Sequence, residues 1–105
     1  MNKANMRLAL KAFEGCKQYL NTPRKHDCEY FICRAIDEWY RCNQHVENYY
    51  AANIACDIVM RSIDPYFTMG FWVARNAHIP KMHLQARRHL FVDACIEELK
   101  RSIED

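Results

Sequence analysis

Residues 28–42, CEYFICRAIDEWYRC, place Phe31, Ile32, Ala35, Ile36 and Trp39 on one side of a helix and Glu29, Arg34, Asp37, Glu38 and Arg41 on the other. Apolar residues that recur every three or four positions mark an amphipathic helix, because 3.6 residues complete each turn. The spacing predicts a helix from about Cys28 to Cys42, with Asp27 as the N-cap. The same period recurs on both sides of this stretch. Towards the N-terminus, Met6, Ala9, Leu10, Phe13, Cys16 or Lys17, and Leu20 outline a first helix over about Asn2 to Leu20. Gly15 lies inside it at a cost of about 1 kcal/mol against alanine, so it marks either close packing or a local weakness. The segment NTPRKHD then breaks the pattern.

Towards the C-terminus, CNQHVEN is a polar link to a third helix from about Val46 to Ile63. Its expected inward stripe is Tyr50, Ile54, Ala55, Ile58 and Val59, and Asp64-Pro65 ends it, since the residue before a proline is pushed out of helical geometry. Thr68 is placed to cap a brief helix holding Phe71, Trp72 and Ala74. The aromatic group Tyr66, Phe67, Phe71 and Trp72 is expected to plug one end of the molecule. A last helix is predicted from about Pro80 to Ser102, with Leu84, Phe91, Val92, Cys95, Ile96 and Leu99 inward and a Glu97–Arg101 pair outside. No stretch alternates with the period of two that a strand requires. The expected architecture is all-α: a compact single-domain bundle over residues 1–105, with about four longer helices and one short one.

Composition agrees. The chain of 105 residues is half hydrophobic and 27% charged, an ordinary globular balance. Two glycines and three prolines are too few for the frequent turns of a sandwich or barrel. A formal charge of +2 excludes global attraction to nucleic acid or anionic membrane. Charges recur at Lys3, Arg7 and Lys11, so the N-terminal stretch holds no apolar block of signal-peptide length. No run reaches the roughly 18 apolar residues of a membrane span. A cytosolic origin is therefore expected, and with it reduced thiols at the six cysteines, which otherwise behave as small buried hydrophobes.

Zinc requires four ligands, usually supplied as two close pairs. Here Cys28 and Cys33 are five apart, and His78, His83 and His89 share no paired spacing, so no metal is expected. A Cys–His nucleophile would need an oxyanion hole, for which Gly15 and Gly70 offer little material. Asp37-Glu38 and Glu97-Glu98 are adjacent on their helices, point about 100° apart, and solvate polar faces. No catalytic set and no cofactor are expected. The basic doublets Arg24-Lys25, Arg87-Arg88 and Lys100-Arg101, with Tyr30, Tyr40, Tyr49 and Tyr50, suggest a charge-and-stacking surface for single strands. Interleaved acids weaken that reading, and it ranks second.

Three segments resemble a loose group of small tailed-bacteriophage proteins without assigned activity. YFICRAIDEWY is similar to their second helix with its buried cysteine, here Cys33. IVMRSIDPYFTMGFWVARNAHIP resembles their helix, break and tryptophan-containing short helix ahead of a proline. LQARRHLFVDACIEEL resembles their closing helix, with Leu90-Phe91 where a Trp-Leu pair is more usual. The resemblance covers roughly residues 28 to 99 and consists mostly of core positions. It implies a shared fold and a phage or prophage origin, hence the cytoplasm of an infected bacterium. It carries no catalytic residues.

The expected function is a protein–protein interaction module that inhibits or modulates a host machine, such as a defence complex of the anti-CRISPR kind. The alternative is a nucleic-acid-associated accessory protein of phage replication or transcription. The partner is a host or phage protein, without a membrane, and the chain is a monomer or small homo-oligomer. With the apolar stripes consumed by the bundle, the partner surface is expected on the polar face of the last helix, Lys81, Gln85, Arg88, Lys100 and Arg101. The loop residues Arg24 and Lys25 and the amphipathic Tyr40 and Tyr49 complete that surface. On this reading Arg88→Ala weakens binding and leaves the melting temperature unchanged.

Overall fold

A computed structural model describes residues 1–22, 29–43, 49–65 and 84–105. The first helix, α1, spans Lys3–Cys16 and tightens into a 3-10 turn over Lys17–Tyr19. Asn2 caps it: the side-chain oxygen accepts the Asn5 backbone N–H at 2.8 Å, satisfying one of the donors that a helix start leaves orphaned. The other helices are α2 (Glu29–Cys42), α3 (Tyr49–Ile63) and α4 (Leu84–Glu104). Among the described residues every regular element is helical. The all-α bundle read from the periodicity is the fold of the protein. The short helix around Thr68 and the aromatic group at 66–72 lie outside the described residues.

α1 is the hub, packing against α2, α3 and α4, while α3 also touches α2 and α4. Its buried face is Ala9, Ala12, Phe13 and Cys16, continued by Leu20 beyond the 3-10 turn. α2 contributes Phe31, Ile32, Ala35, Ile36 and Trp39, the face its spacing predicts. Gly15 shows why this site on α1 takes no side chain. A Cβ there would overlap the Trp39 indole, coming within 2.6 Å of Cδ1 and closer still to Nε1 and Cε2. Of the two readings of Gly15, close packing is the right one. α4 supplies Phe91, Val92, Cys95, Ile96 and Leu99 to the same core, as its pattern predicts.

α3 departs from expectation. Its buried residues are Ala52, Ala55, Cys56, Val59 and Met60. Tyr50, Ile54 and Ile58, predicted inward, are 80%, 54% and 48% exposed. The helix carries two apolar stripes, and the one lined with small residues faces the hub. Ala52, Ala55 and Cys56 lie on the face that meets α1, whose own buried face carries Ala9 and Ala12. The Cys56 thiol comes to 3.9 Å from the Ala9 carbonyl oxygen, a distance that larger side chains would prevent. Relative to the predicted stripe, α3 is turned by roughly 100° about its axis. The outer pair on α4 differs too: Arg101 pairs with Glu98, three residues back, and Glu97 stands exposed.

Candidate functional site

The residues expected to form a partner surface part company in the structure. Arg88 is fully buried. Its Nη1 donates to the backbone carbonyls of Leu20 and Thr22, at 3.0 Å each, and its guanidinium lies over the Phe31 ring, 4.2 Å from the centroid. The carbonyls that close a helical segment lack partners within it, and they carry the negative end of its dipole. Leu20 caps the 3-10 turn and Thr22 follows it, and Arg88 is the cation that meets their carbonyls at that negative end. Gln85, half-buried, donates from Nε2 to Thr22 O at 3.2 Å. His89 Nε2 meets Asn21 Oδ1 at 2.9 Å, and Lys17 pairs with Asp93 at 2.5 Å.

Positions 85, 88, 89 and 93 therefore form one side of α4 that grips residues 17–22, with the two helices antiparallel. The placement of Gln85 and Arg88 on an outer polar face is corrected: both latch α4 to the end of α1. The ring of His89 titrates below its ordinary value, first through burial and then through the neighbouring Lys17 cation.

Tyr40 is also inside, at 6% exposure. It stands four and eight residues after Ile36 and Ile32, so it continues their row into the core rather than adding outer surface. Its ring packs edge-on against Trp39 and Tyr49, with centroids 4.7 and 4.6 Å apart. Its hydroxyl is buried without a hydrogen-bond partner among the described residues, and burial pushes its pKa up to about 12. Tyr49 is exposed, and its hydroxyl donates to the Asp37 carboxylate. Burial and then that carboxylate raise its pKa. Lys100 and Arg101 are exposed near the end of α4, with Arg101 held by Glu98. Arg24, Lys25 and Lys81 lie outside the described residues.

Tyr50, Ile54 and Ile58 follow one another at four-residue intervals along the outside of α3. Beside them, between α2 and α3, a groove of about 400 Å³ is lined by Cys33, Asp37, Tyr49, Asn53, Ile54 and Asp57. Asp57 is bound by Arg61 at 3.0 Å, and Tyr50, Ile54 and Ile58 are the large apolar residues exposed beside it. A signal for this stripe was present in the sequence. One helix carrying a row of large apolar residues beside a row of small ones cannot bury both.

No family model, curated protein or solved structure matches this chain.

The cysteines offer no nucleophile in the core. Burial pushes the Cys16 thiol up to about 12 and raises those of Cys56 and Cys95 as well. A thiol held neutral is neither nucleophile nor metal ligand. Cys42 is exposed, and its contact with the Tyr19 hydroxyl is the first cause of that tyrosine's raised pKa. Among the described residues, no group of three or more His, Cys, Asp or Glu side chains converges as a metal site would require. No helix among them is long and apolar enough to cross a membrane.

Proposed function

We propose that this chain is a protein-interaction module that docks its partner through the outer face of α3. The observation that carries the proposal is the row Tyr50, Ile54 and Ile58, three large apolar side chains left 80%, 54% and 48% exposed on one helix. Scattered exposed hydrophobes are normal, but contiguous ones beside a groove are what partners bury. Tyr50 begins the row and Tyr49 stands beside it, and tyrosine is enriched among residues that dominate binding energy. The occupant fits the description of an apolar helix or strand face on another protein. The phage resemblance supports a host machine as its owner, including a defence complex of the anti-CRISPR kind.

The test compares the native chain with Ile54→Asp and Ile58→Asp as affinity baits in bacterial lysate, alongside their melting curves and sedimentation. The expected result is one protein retained at stoichiometric level by the native chain and lost from both variants, with melting temperatures preserved. Identical retention by all three baits would refute the docking face. A native dimer converted to monomer by either substitution would assign the face to a second copy and refute a foreign partner there.

A further inference from the structure

Most arginines and lysines of the described helices are engaged. Arg88 is internal, Lys17 is held by Asp93, Arg41 by Glu38, Arg61 by Asp57 and Arg101 by Glu98. α1 differs. Lys3, Arg7 and Lys11 are all exposed, and none takes part in an ion pair or side-chain hydrogen bond among the described residues. They recur every fourth residue, so successive side chains advance by about 6 Å and drift only about 40° around the axis. The row spans about 12 Å and lies on the side of α1 opposite Ala9, Ala12, Phe13 and Cys16. The first turn holds no acidic residue, and the one carboxylate on this face of α1, Glu14, stands beyond the far end of the row.

From this row we infer a second binding surface: α1 holds the phosphate backbone of a nucleic acid, without reading its sequence. Each strand of a duplex presents a phosphate every ~3.4 Å of axis, so a 12 Å row of three cations meets a stretch of roughly three to four phosphates. A straight, evenly spaced row matches a polymer of evenly spaced charges. Sequence readout would need polar groups aimed at base edges or aromatic platforms for stacking, and this face of α1 carries neither.

A lipid surface fits less well. Interfacial helices bury an apolar face beside their cations, whereas the apolar face of α1 is spent on the core. This surface differs from the nucleic-acid surface expected from the basic doublets: of their described members Arg88 is internal, Arg87 is half-buried, and Lys100 and Arg101 lie on α4, where Glu98 holds Arg101. It is also independent of α3, so either surface can fail without the other.

Fluorescence anisotropy with a labelled DNA duplex of about two turns, a single strand of equal length and phosphatidylserine vesicles decides the matter. Three phosphates neutralised give a slope of log affinity on log salt of about −2.7 for duplex, a loss of about 40-fold between 50 and 200 mM salt. Replacing Lys3, Arg7 and Lys11 together by Gln should abolish binding. Each single replacement should reduce the slope by about one, which keeps the test valid if the triple variant folds poorly. Lys100→Gln, on α4, should change neither affinity nor slope. Absence of duplex and single-strand binding at low salt would overturn the inference. So would a slope untouched by the three substitutions, or tighter binding to the vesicles than to DNA.

Discussion

Replacing Arg88 by alanine tests the packing most directly, because the outer-face reading and the structure predict opposite results. A surface arginine is worth within about ±0.5 kcal/mol of stability. The buried one donates two hydrogen bonds to carbonyls, and bonds to a charged group are worth about 1.5–3 kcal/mol each. Its stacking on Phe31 adds on the order of 1 kcal/mol. Truncation leaves the Leu20 carbonyl with only the Thr22 N–H and the Thr22 carbonyl with only Gln85 Nε2 among these donors, and opens space beside Phe31. Against this stands the desolvation of the guanidinium, which the variant recovers.

The net loss worked from these terms is about 3–5 kcal/mol, in a domain whose whole stability is of order 5–15 kcal/mol. At roughly 4–8 °C per kcal/mol the melting temperature should fall by more than about 12 °C. Thermal and urea unfolding followed by circular dichroism measure it, with Lys100→Ala as the exposed control. Arg88→Lys should recover only part of the loss, since an ammonium lacks the planar fork and stacks poorly on a ring. A melting temperature for Arg88→Ala within about 2 °C of native would refute the buried latch.

Gly15→Ala gains about 1 kcal/mol of helix propensity yet should destabilise the protein by about 1–3 kcal/mol, because its methyl overlaps the Trp39 indole. A raised urea midpoint would show that α1 and α2 are not so close. Tyr40→Phe removes a buried hydroxyl that has no partner among the described residues and should stabilise by about 1 kcal/mol, read by the same titration. A loss of stability would reveal a hydrogen bond at that oxygen. Cys42 should react with an alkylating reagent in the native state, while Cys16, Cys56 and Cys95 should react only on unfolding, as peptide mass spectrometry would show. The same burial sets an alkaline limit. These three thiols are raised above their ordinary 9.0, so above that pH the unfolded chain binds fewer protons than the folded one. Their contribution is complete below pH 9 and is lost progressively above it, and a urea midpoint that rises from pH 8.5 to pH 10 would contradict it.

The two proposed surfaces separate in the assays that read them. Docking on α3 is apolar and should persist at high salt, whereas phosphate binding on α1 should vanish there. Ile54→Asp acts on the first and Lys3→Gln on the second. Neither substitution touches a residue of the core.

The helices and most of their inward faces were decided by the sequence alone. In α2 the apolar face Phe31, Ile32, Ala35, Ile36 and Trp39 stands opposite Arg34, Asp37, Glu38 and Arg41, so one rotation of the helix buries it and keeps the charges in water. The same holds for Phe91, Val92, Cys95, Ile96 and Leu99 in α4. Tertiary structure decided the rest. Helical period fixes the angles between residues but not which of two apolar stripes faces inward. In α3 the choice fell to the close approach of α1, which admits Ala52, Ala55 and Cys56 and leaves Tyr50, Ile54 and Ile58 outside. Arg88 was beyond local reading for a different reason. A charged residue goes inside only where something there satisfies it, and its acceptors are carbonyls 66 and 68 residues earlier in the chain. Those carbonyls become available only when α4 lies antiparallel along the end of α1, a relation between remote elements that no window of sequence contains.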